Sequence, residues 1–309
     1  MTKQEFIKSK IVAILLLILS VLLSSFPWER FRNYEFVDLG RNLDKYDGFR
    51  YLEFNIDFSK ITSEPVWTYL NYMFSHAGYD GVFMFTGLAV FCYFSLFRFV
   101  YIETKNLIYC LLLINPLILD FVLSQQRSCL ALVTIIHCRE LKLFPRIAGN
   151  FFSLLLHTLT AVIVFIDELS SYFFEKIKNK LSLRLCFVIA VSFVIAFLTV
   201  YGREVLLGFF NDRRAYEYDA GGNSILYSLP WLLYGLFIVV KSNSKFSIIS
   251  SIYLMIFFWC SYFDFYGSRY LAIGMPFFYI ALHKIPKNTI FFFLVSSHQV
   301  LLLYIWLKI

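Results

Sequence analysis

Apolar runs long enough, or nearly long enough, to cross a bilayer recur along the whole chain, broken by short polar stretches. They predict spans at roughly residues 9–26, 81–98, 106–122, 123–138, 147–157, 158–174, 182–201, 225–240, 246–263, 267–283 and 289–307. A helix satisfies its own backbone hydrogen bonds in lipid, so helices rather than open sheets are expected. Segment 66–77 is apolar but only 12 residues long, too short to cross, which predicts a re-entrant or interfacial helix. The expected fold is all-α: a polytopic integral membrane protein with about ten or eleven transmembrane helices and that one short helix. A single membrane domain would cover residues 1–309, with an outer cap loop at 27–80 and a second outer loop at 202–224. The run Ile11–Leu23 leads into Phe26-Pro27-Trp28, not a small-residue cleavage site, so the first span is expected to be retained.

Basic residues set the orientation. Splitting the apolar stretch 146–175 into two short helices meeting near His157 puts the lysine clusters around 176–180, 241–245 and 284–287 on the cytoplasmic side with the N-terminus. A single span there would invert everything downstream. With the split, twelve lysines and four arginines lie inside, and nine arginines and three lysines lie outside. Guanidinium is the better fork for phosphate and carboxylate, so an arginine-biased outer face suits an anionic ligand. Ordinary loop solubility explains the same bias equally well.

Composition agrees with this picture: 59% of residues are hydrophobic, 20% are aromatic and 16% are charged. The net charge of +7 follows from positive-inside bias, and nucleic-acid binding is not expected. All six cysteines lie in apolar segments without CxxC or metal-ligand spacing, so no metal or cofactor is expected. Phosphate-loop, dinucleotide-binding, nucleophile-elbow, HExxH and paired DxD signatures are absent.

Polar residues inside apolar segments are the candidates for chemistry. Arg127 lies in the stretch 106–138, read as a hairpin with arms of about 16 residues, roughly 25 Å each at 1.5 Å per residue. That is short of the ~30 Å hydrocarbon core, so its tip should lie below the membrane surface. Asp120 is the alternative, purely structural partner for Arg127, although two helical turns separate them. His157 is either a histidine bonded to a neighbouring helix or a general base or donor. Arg269, about a turn down from the crest of the hairpin 246–283, either pairs with Asp264 or faces a ligand. The cap between Pro27 and Glu64 mixes charges and aromatics, among them Arg41, Asp44, Tyr46 and Glu64, and is read as an ordered cover or a solvated loop. Arg213 and Arg214, ahead of Gly221-Gly222, read as an acceptor-contacting loop or a plain connector.

At these residues the chain resembles the EpsG-like branch of the Wzy-type polysaccharide (O-antigen or capsule) polymerases. The matching pieces are Arg41-Asn42-Leu43-Asp44-Lys45-Tyr46, then Glu64-Pro65-Val66-Trp67 with Asn71. After them come Gln126-Arg127 with Leu130-Ala131, His157-Thr158 with Ala161, and Ser268-Arg269-Tyr270 before Pro276. The order is the family's, and the set spans about 240 residues. Family members often carry the glutamine after the arginine, so no role passes to Gln126.

The resemblance implies a metal-independent membrane glycosyltransferase acting on undecaprenyl-diphosphate-linked oligosaccharide at the periplasmic face of the bacterial inner membrane. The growing glycan would pass from its lipid diphosphate to a new lipid-linked unit. Expected partners are the lipid bilayer, a chain-length regulator and a flippase. Arg127, His157, Arg269 and Asp44 are then the candidate catalytic residues, with Arg41, Tyr46, Glu64, Arg213 and Arg214 as substrate contacts. The arginines would neutralise the departing diphosphate, and His157, Asp44 or Glu64 would take the proton. Competing readings are a flippase or other transporter for the same lipid-linked sugar, an O-antigen ligase, an acyltransferase, or an assembly partner without activity.

Overall fold

Side-chain caps and prolines punctuate the chain into helices. The computed structural model describes residues 3–32, 35–51, 64–139, 141–202, 205, 221–286 and 289–308. Among these residues there are fifteen α-helices, one 3-10 turn at Phe49–Tyr51 and no strand. The protein is an all-α polytopic membrane protein. Gly81–Thr104, Leu181–Val200, Lys245–Tyr262 and Thr289–Lys308 are long and apolar enough to cross a membrane. A bent pair, Pro116–Leu123 with Gln126–Cys138, makes a fifth if counted as one span. The other expected spans form helices near their expected boundaries, but these are shorter or less apolar.

The chain divides into two compact units, the first of residues 1–160 and 295–309 and the second of residues 161–294.

In the first unit, α1 (Lys3–Ser25) packs on α5 (Gly81–Thr104). Between them lie α2 (Trp28–Arg32), α3 (Val37–Gly48) and α4 (Pro65–His76), the last being the expected 12-residue short helix. Asp80 starts α5 by accepting from the Phe83 amide at 3.1 Å, and Lys105 ends it in the left-handed region at φ 53°. The Trp28 indole donates to the Leu23 carbonyl at 2.8 Å. The Arg32 guanidinium lies 4.7 Å from the ring centroid of Trp306, which sits near the chain's end.

The stretch 106–138 is not a hairpin of two equal arms. It breaks into α6 (Leu107–Leu111), α7 (Pro116–Leu123) and α8 (Gln126–Cys138). Asn115 is extended, and its carboxamide oxygen caps the amides of Leu117 and Ile118 at 3.1 and 3.2 Å. Pro116 has no amide hydrogen to continue a preceding helix, so α7 must begin there. At Ser124–Gln125 the chain turns by 98° into α8. Arg127 therefore stands in the first turn of a new helix.

The chain turns back between α8 and α9 (Leu143–Leu156), and the two helices pack closely. Gly149 allows it: a methyl there would sit 2.2 Å from the Cys138 Sγ. The turn lies at one end of the pair, so the start of α8 and the end of α9 meet at the other. The helix ends at His157, as the charge pattern requires, and α10 (Thr160–Ile177) follows.

The second unit contains most of α10 and then α11 (Leu181–Val200), α12 (Ile225–Lys241), α13 (Lys245–Tyr262) and α14 (Ser268–His283). Helix α13 is its centre, 78% buried and packed by α11, α12 and α14. Close approach at Gly235 and Gly274 admits the backbones: added methyls there would lie 3.3 Å from Leu254 and 2.6 Å from Tyr253. The last helix, α15 (Thr289–Lys308), is only 17% buried in its apolar window, as a lipid-facing helix should be.

Candidate functional site

Three polar residues far apart in sequence meet in the first unit because the apolar residues beside them pack together. Val66, two residues after Glu64, clusters with Ala131, one turn after Arg127, and with Leu156, which precedes His157. Leu70, Leu130 and Leu155 pack against this cluster. A second cluster of Tyr46, Trp67, Met84 and Phe85 adjoins it, sharing Leu70 and Leu130. The apolar floor thus fixes the starts of α4 and α8 and the end of α9 relative to one another.

Glu64 stands at the centre. One carboxylate oxygen, Oε2, accepts from Arg127 Nη1, and the other, Oε1, is bonded to His157 Nδ1. Glu64 and His157 are buried, whereas the Arg127 side chain is 33% exposed. The cluster is therefore a buried carboxylate and imidazole with a cation at its open edge. A buried carboxylate without partners would be prohibitively costly, and two ionic or hydrogen-bonded partners offset that.

The backbone at each position explains the aim of the side chains. Glu64 adopts φ 53°, ψ 58°, a left-handed conformation that a non-glycine residue avoids, and the following Pro65 restricts it further. Such a conformation persists only where the surroundings over-determine it. Here the Glu64 carbonyl accepts from the Thr68 amide at 3.0 Å, and the carboxylate turns toward Arg127 and His157 instead of capping its own helix. His157 leaves the helix in an extended conformation, φ −160°, ψ 130°, with its amide on the Ser153 carbonyl at 3.0 Å. Thr160 Oγ1 donates to that same carbonyl at 2.9 Å and secures the break.

Gln126, given no role from sequence, anchors the helix that carries Arg127. Its Nε2 donates to the Phe85 carbonyl in α5 at 2.8 Å. The preceding Gln125 donates to Asp120 Oδ2 at 3.3 Å, so Asp120 is tied across the 98° turn and the ionic partner of Arg127 is Glu64. A glutamine inside an apolar stretch was the visible signal; its long-range carbonyl partner was not.

The other expected site residues have their own surroundings within their units. Tyr46 is fully buried: its ring packs edge-on to Phe85, its hydroxyl donates to the Tyr79 carbonyl at 3.0 Å, and its own carbonyl accepts from Ser75. Burial pushes its phenol above the ordinary range. These contacts tie α3 to α4 and α5. Asp44 is exposed on α3 and makes no ion pair among the described residues. Arg41 is exposed and lies 3.8 Å from Asp38. Arg269 is half-buried at the start of α14 in the second unit, beside Tyr270, whose hydroxyl bonds Thr199 at 2.8 Å. The nearby Asp264 accepts from the Gly222 amide at 3.1 Å. Arg213 and Arg214 lie outside the described residues. No group of three histidine, cysteine or carboxylate side chains that could hold a metal ion occurs among the described residues.

Comparisons of the chain with protein-family models, with curated proteins and with solved structures give no match. A guanidinium at the edge of a buried carboxylate–imidazole pair can grip an oxyanion and move a proton.

Proposed function

We propose that the chain is a polysaccharide polymerase of the bacterial inner membrane, with Glu64, Arg127 and His157 at its reacting centre. On this reading it transfers the growing glycan from undecaprenyl diphosphate to a new lipid-linked repeat unit at the periplasmic face. The observation that supports the reading is Glu64 joining Arg127 to His157. Four of the five sequence pieces that carry the resemblance contribute residues to this cluster or to the apolar floor beneath it.

In this mechanism Arg127 Nη1 stays on Glu64, and its Nε and Nη2 donors meet the diphosphate. Glu64 holds the His157 proton on Nδ1, which makes Nε2 the basic atom. The acceptor hydroxyl gives its proton to Nε2 as its oxygen bonds the anomeric carbon. The bond from that carbon to the diphosphate oxygen breaks, and the electron pair leaves on the diphosphate. Arg127 stabilises that developing charge. The roles of Arg269 and Asp44 rest on the resemblance alone.

The test is the surface-glycan ladder of a deletion strain carrying either the wild-type gene or the Arg127→Ala variant. Wild type should restore long chains, and the variant should leave single-unit glycans at normal protein level. Complete loss of surface glycan on deletion would mark a flippase instead, and polymer accumulating on the carrier lipid would mark a ligase.

A further inference from the structure

The second unit buries an arginine that has no counter-ion among the described residues. Arg184 lies one turn into α11 and is 7% exposed. Its Nη1 donates to the Ser242 carbonyl at 2.9 Å, and its Nε is buried without a hydrogen-bond partner among the described residues. That carbonyl also accepts from Ser247 Oγ at 2.9 Å, so its lone pairs are already shared. No carboxylate among the described residues pairs with Arg184. A neutral carbonyl compensates only a small part of what it costs to take a guanidinium out of water.

The surroundings are suited to an oxyanion. The Ser242 and Ser244 hydroxyls lie 3.1 Å apart beside the guanidinium's carbonyl partner. Lys180, four residues before Arg184 at the start of α11, and Lys241, next to Ser242 at the end of α12, are both exposed. Lys245 is already committed to Asp167 at 3.2 Å, and Lys284 lies 4.4 Å over the Phe246 ring. This end of the unit therefore carries an excess of cations around one buried, under-compensated guanidinium.

We propose that Arg184, with the Ser242 and Ser244 hydroxyls and flanking lysines, binds a phosphate group, either of an anionic lipid headgroup or of a soluble phosphate. A phosphate supplies the counter-charge and several acceptor oxygens at once, matching the fork of the guanidinium. The site is independent of the Glu64 cluster and stands whether or not the polymerase reading holds.

The test is thermal unfolding of the full-length protein purified in a zwitterionic detergent. Phosphatidylglycerol, phosphatidylcholine and inorganic phosphate are added separately to wild type, Arg184→Gln and Lys178→Gln. The expected result is a rise in melting temperature with phosphatidylglycerol that Arg184→Gln loses and Lys178→Gln keeps. A matching rise with inorganic phosphate would assign the site to a soluble ligand, and no rise with it would assign the site to lipid. Should Arg184→Gln fail to fold, Arg184→Lys keeps the charge but loses the fork, and its shift should shrink. The proposal is overturned if none of the additives stabilises the wild type, if phosphatidylcholine acts equally, if the Arg184 variant keeps the full shift, or if Lys178→Gln loses as much. Arg184 would then be only a clasp on the Ser242 carbonyl.

Discussion

Arg127 and Arg184 both leave water, and the chain treats them differently. Arg127 has a buried carboxylate waiting for it, while its own side chain stays one-third exposed. Arg184 is more deeply buried, and among the described residues its partner is a backbone carbonyl. In the first case the protein has assembled the counter-charge, so removing the cation strands a buried anion. In the second the protein carries the desolvation cost of the cation itself, so removing it relieves a burden. The partner, rather than the depth, decides what each charge does for stability.

The sharpest way to break this contrast is to replace both arginines by methionine and unfold the variants in the same lipid-free detergent. Arg127→Met should cost about 3 kcal/mol, at the low end for a broken buried pair because the guanidinium is partly solvated. Arg184→Met should change stability by less than about 1 kcal/mol in either direction, since one modest hydrogen bond is exchanged for relief of burial. Equal losses at the two sites would remove the distinction.

The next largest effect concerns how Arg127 and His157 are brought together. Gly149→Ala forces a methyl against Cys138 between α8 and α9, at a cost of about 1–3 kcal/mol. Because that pair carries Arg127 and His157 at its far end, chain lengthening should fall as well. Adding Cys138→Ala should recover part of both losses, and a double variant no better than the single one would contradict this packing account.

Gln126→Leu should be milder, about 1 kcal/mol for the lost bond to the Phe85 carbonyl. Its larger signature should be shortened glycan chains, because the first turn of α8 is no longer tied to α5; unchanged chain length would leave the anchor without functional weight. Arg41 supplies the smallest effect and a third kind of arginine. It is exposed and 3.8 Å from Asp38, so Arg41→Ala should alter stability by no more than about 0.5 kcal/mol. Any change in chain length from that variant would therefore report recognition, and a loss of stability well beyond that would contradict the surface assignment.

The sequence carried much of the fold. Helix ends at 81, 181, 225, 245, 268 and 289 fall within about a residue of the hydropathy boundaries, because caps and lysines punctuate the apolar runs. The break at His157 was legible from charge, since only that split puts the lysine clusters on one side. The three-helix form of 106–138 was under-read: Asn115-Pro116 is a start signal, but the apolar run hides it. At the site, Arg127 and His157 were visible as polar residues in apolar surroundings. Glu64 was legible as a substrate contact or one of three candidate proton acceptors in a charged loop, but not as the partner of both Arg127 and His157. Its pairing spans 63 residues to Arg127 and 93 to His157, and depends on Val66, Ala131 and Leu156 packing together. Local pattern does not encode such a contact. Arg184 was not legible at all: standing four residues after Lys180, it reads as one more basic residue of the inside charge, with no hint of burial.

On the proposed polymerase reading, Glu64 organises Arg127 and His157 for glycan transfer, and Glu64→Gln removes that organising charge. The amide keeps the shape and some of the hydrogen bonding but removes the charge shared by the two partners. In a deletion strain complemented with this variant at wild-type protein level, the glycan ladder should collapse to single units. A normal ladder of long chains would contradict the account.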